Sequence, residues 1–219
     1  MLQDLLSVIF PAICPGCNKP LLIQEPIICT SCIKRLPVNK THPNLQQTTL
    51  ENQGIFYYLN YEKDSLVQNL LHHIKYKNGI DLAVELGKQF GQILNTQINK
   101  KENSIIIPIP LYWKKERIRG YNQSKAIAQG LSQSMKIPIS ENLIKRIKNT
   151  STQTRKSKVE RIHNVMDAFK IYDTNLTPNN HLILVDDVLT TGSTMDSCIE
   201  ALNTSGFFNI SIVVLAMVK

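Results

Sequence analysis

The 219-residue sequence has no apolar run of about 18 residues, the length that a membrane-spanning helix requires. Its first eleven residues are apolar but lack the basic start and the small-residue cleavage site of a secretory signal peptide. The chain also has no internal repeat and no low-complexity tract, and its apolar fraction of 42% is ordinary for a folded protein. These absences predict a cytoplasmic protein with no transmembrane segment, large enough for one α/β domain and a small accessory module.

Cysteine is also scarce, yet four of the five cysteines form two CxxC pairs that 11 residues separate. Structural zinc sites use four tetrahedral thiolates, and each CxxC turn presents two sulfurs on one side. Two disulfides or a thiol redox pair are the alternatives, but disulfides are rare in the cytosol and a redox pair needs only one CxxC. We predict a structural Zn²⁺ site in a small zinc-ribbon-like module, with the ligands Cys14, Cys17, Cys29 and Cys32.

Two kinds of apolar pattern alternate along the rest of the chain. Short apolar runs predict strands, and apolar residues at helical spacing predict helices, one of which would bury Cys198. This alternation predicts a parallel sheet with helices on both faces, in a domain of residues 41–219 that follows a module of residues 1–40. A polar, basic stretch at 148–161 predicts an exposed loop. Predicted strands lie at 55–61, 105–107, 182–185 and 209–218, and predicted helices at 66–74, 82–94, 126–135 and 194–204.

The segment from Leu182 to Thr194 combines a strand, two carboxylates, a turn with glycine and hydroxyls, and the start of a helix. Backbone N–H groups at a helix N-terminus favour a phosphate, and adjacent carboxylates can accept hydrogen bonds from two ribose hydroxyls, directly or through Mg²⁺. A capped helix with acids in solvent is the alternative, but it needs only one capping residue. The predicted ligand-binding residues are Asp186, Asp187, Val188, Leu189, Thr190, Thr191, Gly192, Ser193 and Thr194.

This segment resembles the motif with which type I phosphoribosyltransferases bind 5-phosphoribosyl-1-pyrophosphate (PRPP). The resemblance implies that Asp186 and Asp187 hold the ribose hydroxyls and that residues 190–194 hold the 5-phosphate. It also implies a pyrophosphate loop at Arg117 and Arg119, for which a basic surface turn is the alternative. Thr190 stands where members acting on 6-oxopurines carry an aspartate base, which argues against hypoxanthine or guanine as the acceptor.

The order and spacing of motifs from residue 14 to 217 resemble the ComF/ComFC family of competence proteins, whose fold is of the type I phosphoribosyltransferase kind. The resemblance implies a role in natural transformation, in which the protein handles single-stranded DNA with inner-membrane DNA-import and cytosolic single-strand-processing proteins. It implies a cytoplasmic protein that can also associate peripherally with the inner membrane. The motifs are the two CxxC pairs, Lys75-Tyr76-Lys77, Pro108-Ile109-Pro110-Leu111, Arg119-Gly120-Tyr121-Asn122-Gln123, Gln153 with Arg161, Asn164 and Phe169, and residues 186–194.

The positive charge concentrates in residues 100–170, where 16 Lys and Arg face 5 Asp and Glu, a net charge of +11. Such a block can bind a polyanion because each neutralised phosphate releases condensed counterions, and a solvated basic face is the alternative. Tyr76, Trp113 and Tyr121 lie among these charges and could stack on bases. The candidate DNA contacts are Lys75, Lys77, Lys114, Lys115, Lys145, Arg146, Arg155, Lys156 and Lys158.

Two classes of function remain open. One is a competence protein that binds single-stranded DNA and uses PRPP as a ligand, which the basic block and the cysteine module favour. The other is an active phosphoribosyltransferase with Mg²⁺ and an unidentified acceptor, which the intact carboxylates and hydroxyls of residues 186–194 favour. A regulator that senses PRPP is compatible with both classes.

Overall fold

The computed structural model describes residues 11–39, 54–98, 103–148, 168–172 and 176–218. Most of the predicted loop at 148–161, and with it Arg155, Lys156 and Lys158, lies outside these ranges. Within them, no helix is both long and apolar enough to cross a membrane. The helices are α1 (Thr30–Lys34), α2 (Leu66–Tyr76), α3 (Ile80–Leu94), α4 (Trp113–Arg119), α5 (Gln123–Met135) and α6 (Ser193–Thr204). The strands are β1 (Gly54–Tyr61), β2 (Ser104–Pro108), β3 (Ile144–Arg146), β4 (Phe169–Ile171), β5 (His181–Leu189) and β6 (Ile210–Val218).

The main sheet has four parallel strands in the order β1-β6-β5-β2. Parallel strands need helical crossovers, and these cover both faces, so the strands are apolar on both sides. One core lies between the sheet and α2, α3 and α5, and a second core lies on the face that α6, β3 and β4 cover. The predicted α/β architecture is confirmed, and the carboxyl ends of all four strands meet at one edge of the sheet.

Strand β5 differs from its prediction because it continues to Leu189 instead of ending at Val185. Its pairing with β6 extends to Leu189 opposite Met217, so backbone hydrogen bonds hold this strand past both acids. The prediction ended the strand at the first charged residue, because buried strands are usually apolar. Asp186 and Asp187 therefore lie inside a strand, on backbone that the sheet holds rigidly.

The sequence patterns missed helix α4 and the antiparallel pair of β3 and β4. No residue of α4 is buried, so the helix has no apolar stripe to reveal it. Strands β3 and β4 have three residues each, too few for an alternating pattern. They pair in the register Ile144–Ile171, Lys145–Lys170 and Arg146–Phe169, and we call this pair the β3–β4 ribbon.

Helices α3 and α5 approach closely at two glycines. A Cβ atom added at Gly87 would lie 2.3 Å from the carbonyl oxygen of Ile127, and one added at Gly130 would lie 2.0 Å from that of Val84. Real Cβ atoms do not come so near to backbone atoms, so these glycines set the distance between the helices. Helix α5 in turn carries Ser124, which contacts Asp186.

We predict that Gly130→Ala lowers the free energy of unfolding by about 2 kcal/mol or more, because the new methyl group must push α5 away from the α3 backbone. The loss should exceed the roughly 1 kcal/mol that alanine gains over glycine in a helix. Urea unfolding measures it, and Gln129→Ala, at a half-buried position on the same helix, is the control. An alanine variant as stable as the native chain would contradict the close contact.

Candidate functional sites: the cysteine cluster and the carboxylate cleft

The four N-terminal cysteines converge in space. Their Sγ atoms all lie within 4.8 Å of one another, and the Cys17 and Cys29 sulfurs are 3.8 Å apart. A tetrahedral zinc site with bonds of about 2.3 Å has sulfur–sulfur edges of about 3.8 Å. None of the four forms a disulfide. The cluster can therefore hold a metal ion, as the CxxC spacing predicted.

Backbone N–H groups point at these sulfurs. The amide of Cys29 donates to Cys14 Sγ, and the amide of Cys32 donates to Cys29 Sγ, each at 3.4 Å. Burial raises the pKa of Cys32 to about 12, whereas hydrogen bonds from the backbone outweigh the effect of burial at Cys14 and lower its pKa to about 7. A bound divalent cation favours the thiolate at every such position.

The cysteine cluster is joined to helix α2. Cys14 and Cys32 are fully buried in the core that also contains Val67 and Leu70 of α2. Asn69 Nδ2 donates a hydrogen bond to the carbonyl oxygen of Gly16 at 3.1 Å. The module therefore packs against the helix that carries Lys75, a residue of the second site.

A cleft of about 510 Å³ opens at the carboxyl edge of the main sheet. Strand β5 contributes the two carboxylates, the turn after it contributes Thr190, and the first turn of α6 contributes Thr194. Helix α2 and the segment after β2 form the walls, with one side chain from the ribbon. The lining residues are Tyr61, Gln68, Leu71, His72, Lys75, Tyr76, Ile109, Pro110, Leu111, Lys115, Gln123, Arg146, Asp186, Asp187, Val188, Thr190, Thr194 and Val218.

Each carboxylate has a different partner. Asp187 is 5% exposed, and its Oδ2 atom lies 3.0 Å from Lys75 Nζ. Asp186 Oδ1 accepts hydrogen bonds from Ser124 Oγ at 2.7 Å and from the Asp187 backbone amide at 2.8 Å. Burial, and then the charge of Asp187, raises the pKa of Asp186 to about 7, against which these hydrogen bonds and Lys75 act. The two carboxyl groups therefore share a proton near neutral pH, and a cation placed beside them would stabilise their ionised forms.

The turn after β5 is shaped for an anion. Gly192 has a φ of +79°, in the left-handed region that favours glycine, and α6 begins at the next residue. The cap residue Gly192 has no side chain that could accept from the first N–H groups of this helix, and these groups point toward the turn. Thr190 and Thr194 line the cleft, whereas Leu189 is buried in the second core.

Three of the cations that the sequence suggested as DNA contacts line the cleft: Lys75, Lys115 and Arg146. Burial, and then the charges of Arg146 and Arg119, lowers the pKa of Lys115. Burial likewise lowers the pKa of Arg146. Positive charges that are crowded and partly desolvated in this way favour an anionic ligand. Of the other described candidates, Lys77, Lys114 and Lys145 lie outside the cleft lining.

The predicted pyrophosphate loop at Arg117 and Arg119 is a helix, α4, and neither arginine lines the cleft. Arg117 is exposed, and Arg119 donates to the Gln123 side chain and lies 5.9 Å from the Tyr76 ring centroid. This helix buries no residue, so no apolar stripe distinguishes it from a loop. Lys115 supplies the cation that lines the cleft there. Helix α5 begins just after α4, and Asn122 caps it, since its Oδ1 accepts from the Ser124 amide at 3.0 Å.

Several cleft residues have no motif that would reveal them. Ser124 is buried and donates to Asp186, and Tyr61, Gln68 and His72 line the cleft. The Tyr61 hydroxyl donates to Gln68 Oε1 at 3.2 Å, and the His72 and Tyr76 rings are 4.9 Å apart. Their places depend on tertiary packing, with Gln68 and His72 on α2, Tyr61 at the end of β1 and Ser124 on α5.

Comparison with known proteins finds a domain match over the second half of the chain. Residues 122–218 match the model of the phosphoribosyl transferase domain, a range that includes Ser124 and both carboxylates. Among solved structures, adenine phosphoribosyltransferase from Leishmania tarentolae covers 69% of this chain and 74% of its own, with 13% identity and a TM-score of 0.38. The fold assignment rests on the sheet topology and on the domain match.

Curated relatives extend the match to the rest of the chain. Competence protein F of Haemophilus influenzae is 40% identical over 108 residues, which are 49% of this chain and 47% of that protein, so the match spans about half the length of that relative. Competence protein ComFC of Bacillus subtilis is 24% identical over 89% of this chain and 72% of its own. The DNA utilization protein YhgH of Escherichia coli K12 is 24% identical over 90% of this chain and 92% of its own. The resemblance that the motifs indicated is thereby confirmed: the chain is similar to the competence proteins F and ComFC and to YhgH, and its residues 122–218 match the phosphoribosyl transferase domain.

Proposed function

We propose that the cleft binds PRPP together with Mg²⁺, and that the chain uses this site as a competence protein that handles single-stranded DNA. The observation that carries the first part is the meeting of Asp186 and Asp187 with an uncapped helix N-terminus and three cations in one cleft. PRPP carries a 5-phosphate, two ribose hydroxyls and a pyrophosphate. The cleft offers a matching group for each of them.

Each part of the ligand has a place in this proposal. Thr190, Thr194 and the first N–H groups of α6 would hold the 5-phosphate. The two carboxylates would hold the ribose hydroxyls, with Mg²⁺ supplying the charge that the pair lacks. Lys115 and Arg146 would face the pyrophosphate, whose negative charge relieves their mutual repulsion. A role for Arg117 and Arg119 remains a prediction that would require α4 to move.

Lys75 acts as the counterion of Asp187 in the protein without ligand. A nearly buried carboxylate costs several kcal/mol unless a cation or hydrogen bonds compensate it. Lys75 reaches it from the last turn of α2, where its side chain keeps 28% of its exposure. The ligand with its Mg²⁺ would replace Lys75 at Asp187 and free the ammonium group for a phosphate oxygen. This assigns Lys75 to the cleft and not to a DNA surface.

The proposed DNA role rests on the relatives and on charge. The matched proteins are named for competence and for DNA utilization, and residues 100–170 of this chain carry a net charge of +11. We propose that the chain works on single-stranded DNA in natural transformation, on the cytoplasmic side of the inner membrane. Its partners in this proposal are DNA-import and single-strand-processing proteins.

An active phosphoribosyltransferase is the second candidate. The wall of Tyr61, Gln68, His72 and Tyr76 leaves room beyond the carboxylates for a planar acceptor with hydrogen-bonding groups. Thr190 cannot serve as a base at neutral pH, so an acceptor that needs deprotonation would require another group. Release of pyrophosphate distinguishes this candidate from a binding site.

For the cysteine cluster we propose one structural Zn²⁺, bound by Cys14, Cys17, Cys29 and Cys32. Four protein thiolates complete a tetrahedral shell and leave no open position for a substrate. The metal would therefore stabilise the packing of the module on α2. The division into a module of residues 1–40 and a domain of residues 41–219 remains a prediction.

PRPP with Mg²⁺ should raise the melting temperature of the native chain by roughly 5–10 °C at 100 times the dissociation constant, since mass action supplies about 2.7 kcal/mol. Asp187→Ala should abolish the shift, whereas Glu200→Ala, an exposed acid on α6, should keep it. Ribose 5-phosphate should give a smaller shift because it lacks the pyrophosphate. Absence of a shift at millimolar PRPP counts against the proposed site. The same samples, mixed with nucleobases or single-stranded DNA, should release no pyrophosphate, and release would favour the transferase.

Lys75→Met should destabilise the chain more at pH 8 than at pH 5. At pH 5 the Asp186 carboxyl is protonated in the folded protein, because its pKa is raised to about 7. The buried pair then carries one negative charge less, and the loss of the Lys75 ammonium group costs less. As the pH rises through 7 that charge appears, and we expect a loss of about 1–3 kcal/mol in the free energy of urea unfolding. Lys77→Met, at an exposed position two residues away, is the control and should show little effect. An equal loss at both pH values would contradict the raised pKa of Asp186, and no loss at either pH would contradict the ion pair of Lys75 with Asp187.

Metal analysis of the purified chain should find about one zinc ion per chain. Cys17→Ser should lose the metal, and because Cys14 and Cys32 share the core with α2, it should also lower the melting temperature of the whole chain. Cys198→Ala should retain zinc, since Cys198 lies in the other core. A metal-free native chain with disulfides among the four cysteines would disprove the zinc site.

A further inference from the structure

The β3–β4 ribbon presents an outer face that the cleft does not use. Successive side chains of a strand point to opposite faces. On the inner face Ile144 and Phe169 are 2% and 6% exposed, and Arg146 lines the cleft. Lys145 and Lys170 lie between them on the outer face, where both are exposed.

The outer face concentrates positive charge on an aromatic ring. The register sets Lys145 directly opposite Lys170, and like charges in that position repel each other. Neither lysine forms an ion pair with an acidic residue of the described ranges. Both ammonium groups lie over the Tyr172 ring, 4.7 and 5.5 Å from its centroid. Tyr172 is 37% exposed, and Ile147 beside the ribbon is 47% exposed.

We propose that the outer face of the β3–β4 ribbon, formed by Lys145, Lys170 and Tyr172, binds the phosphate and base of single-stranded DNA. The inference rests on the proposed DNA-handling function and gives it a surface. A phosphate placed between the two ammonium groups relieves their repulsion, and an adjacent unpaired base stacks on the tyrosine ring. Duplex DNA hides its base faces, and an acidic peptide has no flat ring for Tyr172, so the combination fits a single strand best.

This surface is separate from the cleft, although the same ribbon forms part of both. Arg146 projects toward the cleft, while its neighbour Lys145 lies on the opposite face. DNA and a cleft ligand should therefore bind at the same time without displacing each other.

Fluorescence anisotropy with a labelled oligo-dT of about 20 nucleotides tests the surface. Lys145→Glu with Lys170→Glu should weaken binding at least tenfold and make the log–log salt slope shallower by about 0.7, the value for one phosphate contact of a single strand. The control variant is Lys63→Glu with Lys88→Glu, which changes the net charge by the same amount at exposed positions away from the ribbon. It should bind the oligonucleotide nearly as tightly as the native chain does. Tyr172→Ala should weaken binding roughly 5- to 150-fold and Tyr172→Phe should not.

The outcomes separate the inference from the function it rests on. If the native chain does not bind the oligonucleotide at low salt, the proposed DNA role itself fails. If the native chain binds and the ribbon variants bind equally well, only the ribbon is excluded. Equal losses in the two double variants, or displacement of DNA by poly-glutamate of the same charge, would show attraction by charge alone and overturn the inference. A cooperative melting transition close to that of the native chain confirms that each variant folds. If a charge variant does not fold, the comparison of Tyr172→Ala with Tyr172→Phe carries the test.

Discussion

Two adjacent carboxylates on a rigid, largely buried strand need positive charge close by, and the arrangement around the cleft follows from that need. Lys75 reaches Asp187 from α2, and Ser124 donates to Asp186 from α5. Arg146 enters from the ribbon, and the N-terminus of α6 contributes a partial positive charge. Because burial and mutual repulsion still keep the pKa of Asp186 at about 7, the compensation is incomplete. A ligand that brings a cation with it would therefore stabilise the ionised form of the carboxylates.

The cysteine cluster and the cleft are connected through one helix. Helix α2 receives the module at Leu66 and Asn69 and presents Lys75 to Asp187 two turns later. Helix α3 lies against α5 at Gly87 and Gly130, so the position of Ser124 depends on a contact that only glycine allows. Parts of the chain that are distant in sequence thus set the positions of both partners of the carboxylates.

The sequence predicted those elements and sites whose residues are neighbours along the chain. The strand and turn of residues 182–194 and the four cysteines are contiguous motifs, and apolar periodicity located the main helices because each buries one face. It failed for α4, which buries nothing, and for β3 and β4, which are too short to show a period. The charge pattern assigned Lys75, Lys115 and Arg146 to DNA contacts, because a sequence does not show which way a charged side chain points. Their place in the cleft depends on tertiary packing.

The most direct test of the account is the number of protons released when PRPP and Mg²⁺ bind, measured by calorimetry in buffers of different ionisation enthalpy. If the ligand brings positive charge to the carboxylates, it lowers the pKa of Asp186 from about 7, and the native chain should release about half a proton at pH 7 in excess of Asp186→Asn. The excess should disappear at pH 9, where Asp186 is already ionised. Binding with no such difference between the two proteins at pH 7 would show that the ligand does not engage the carboxylates, and would contradict the account.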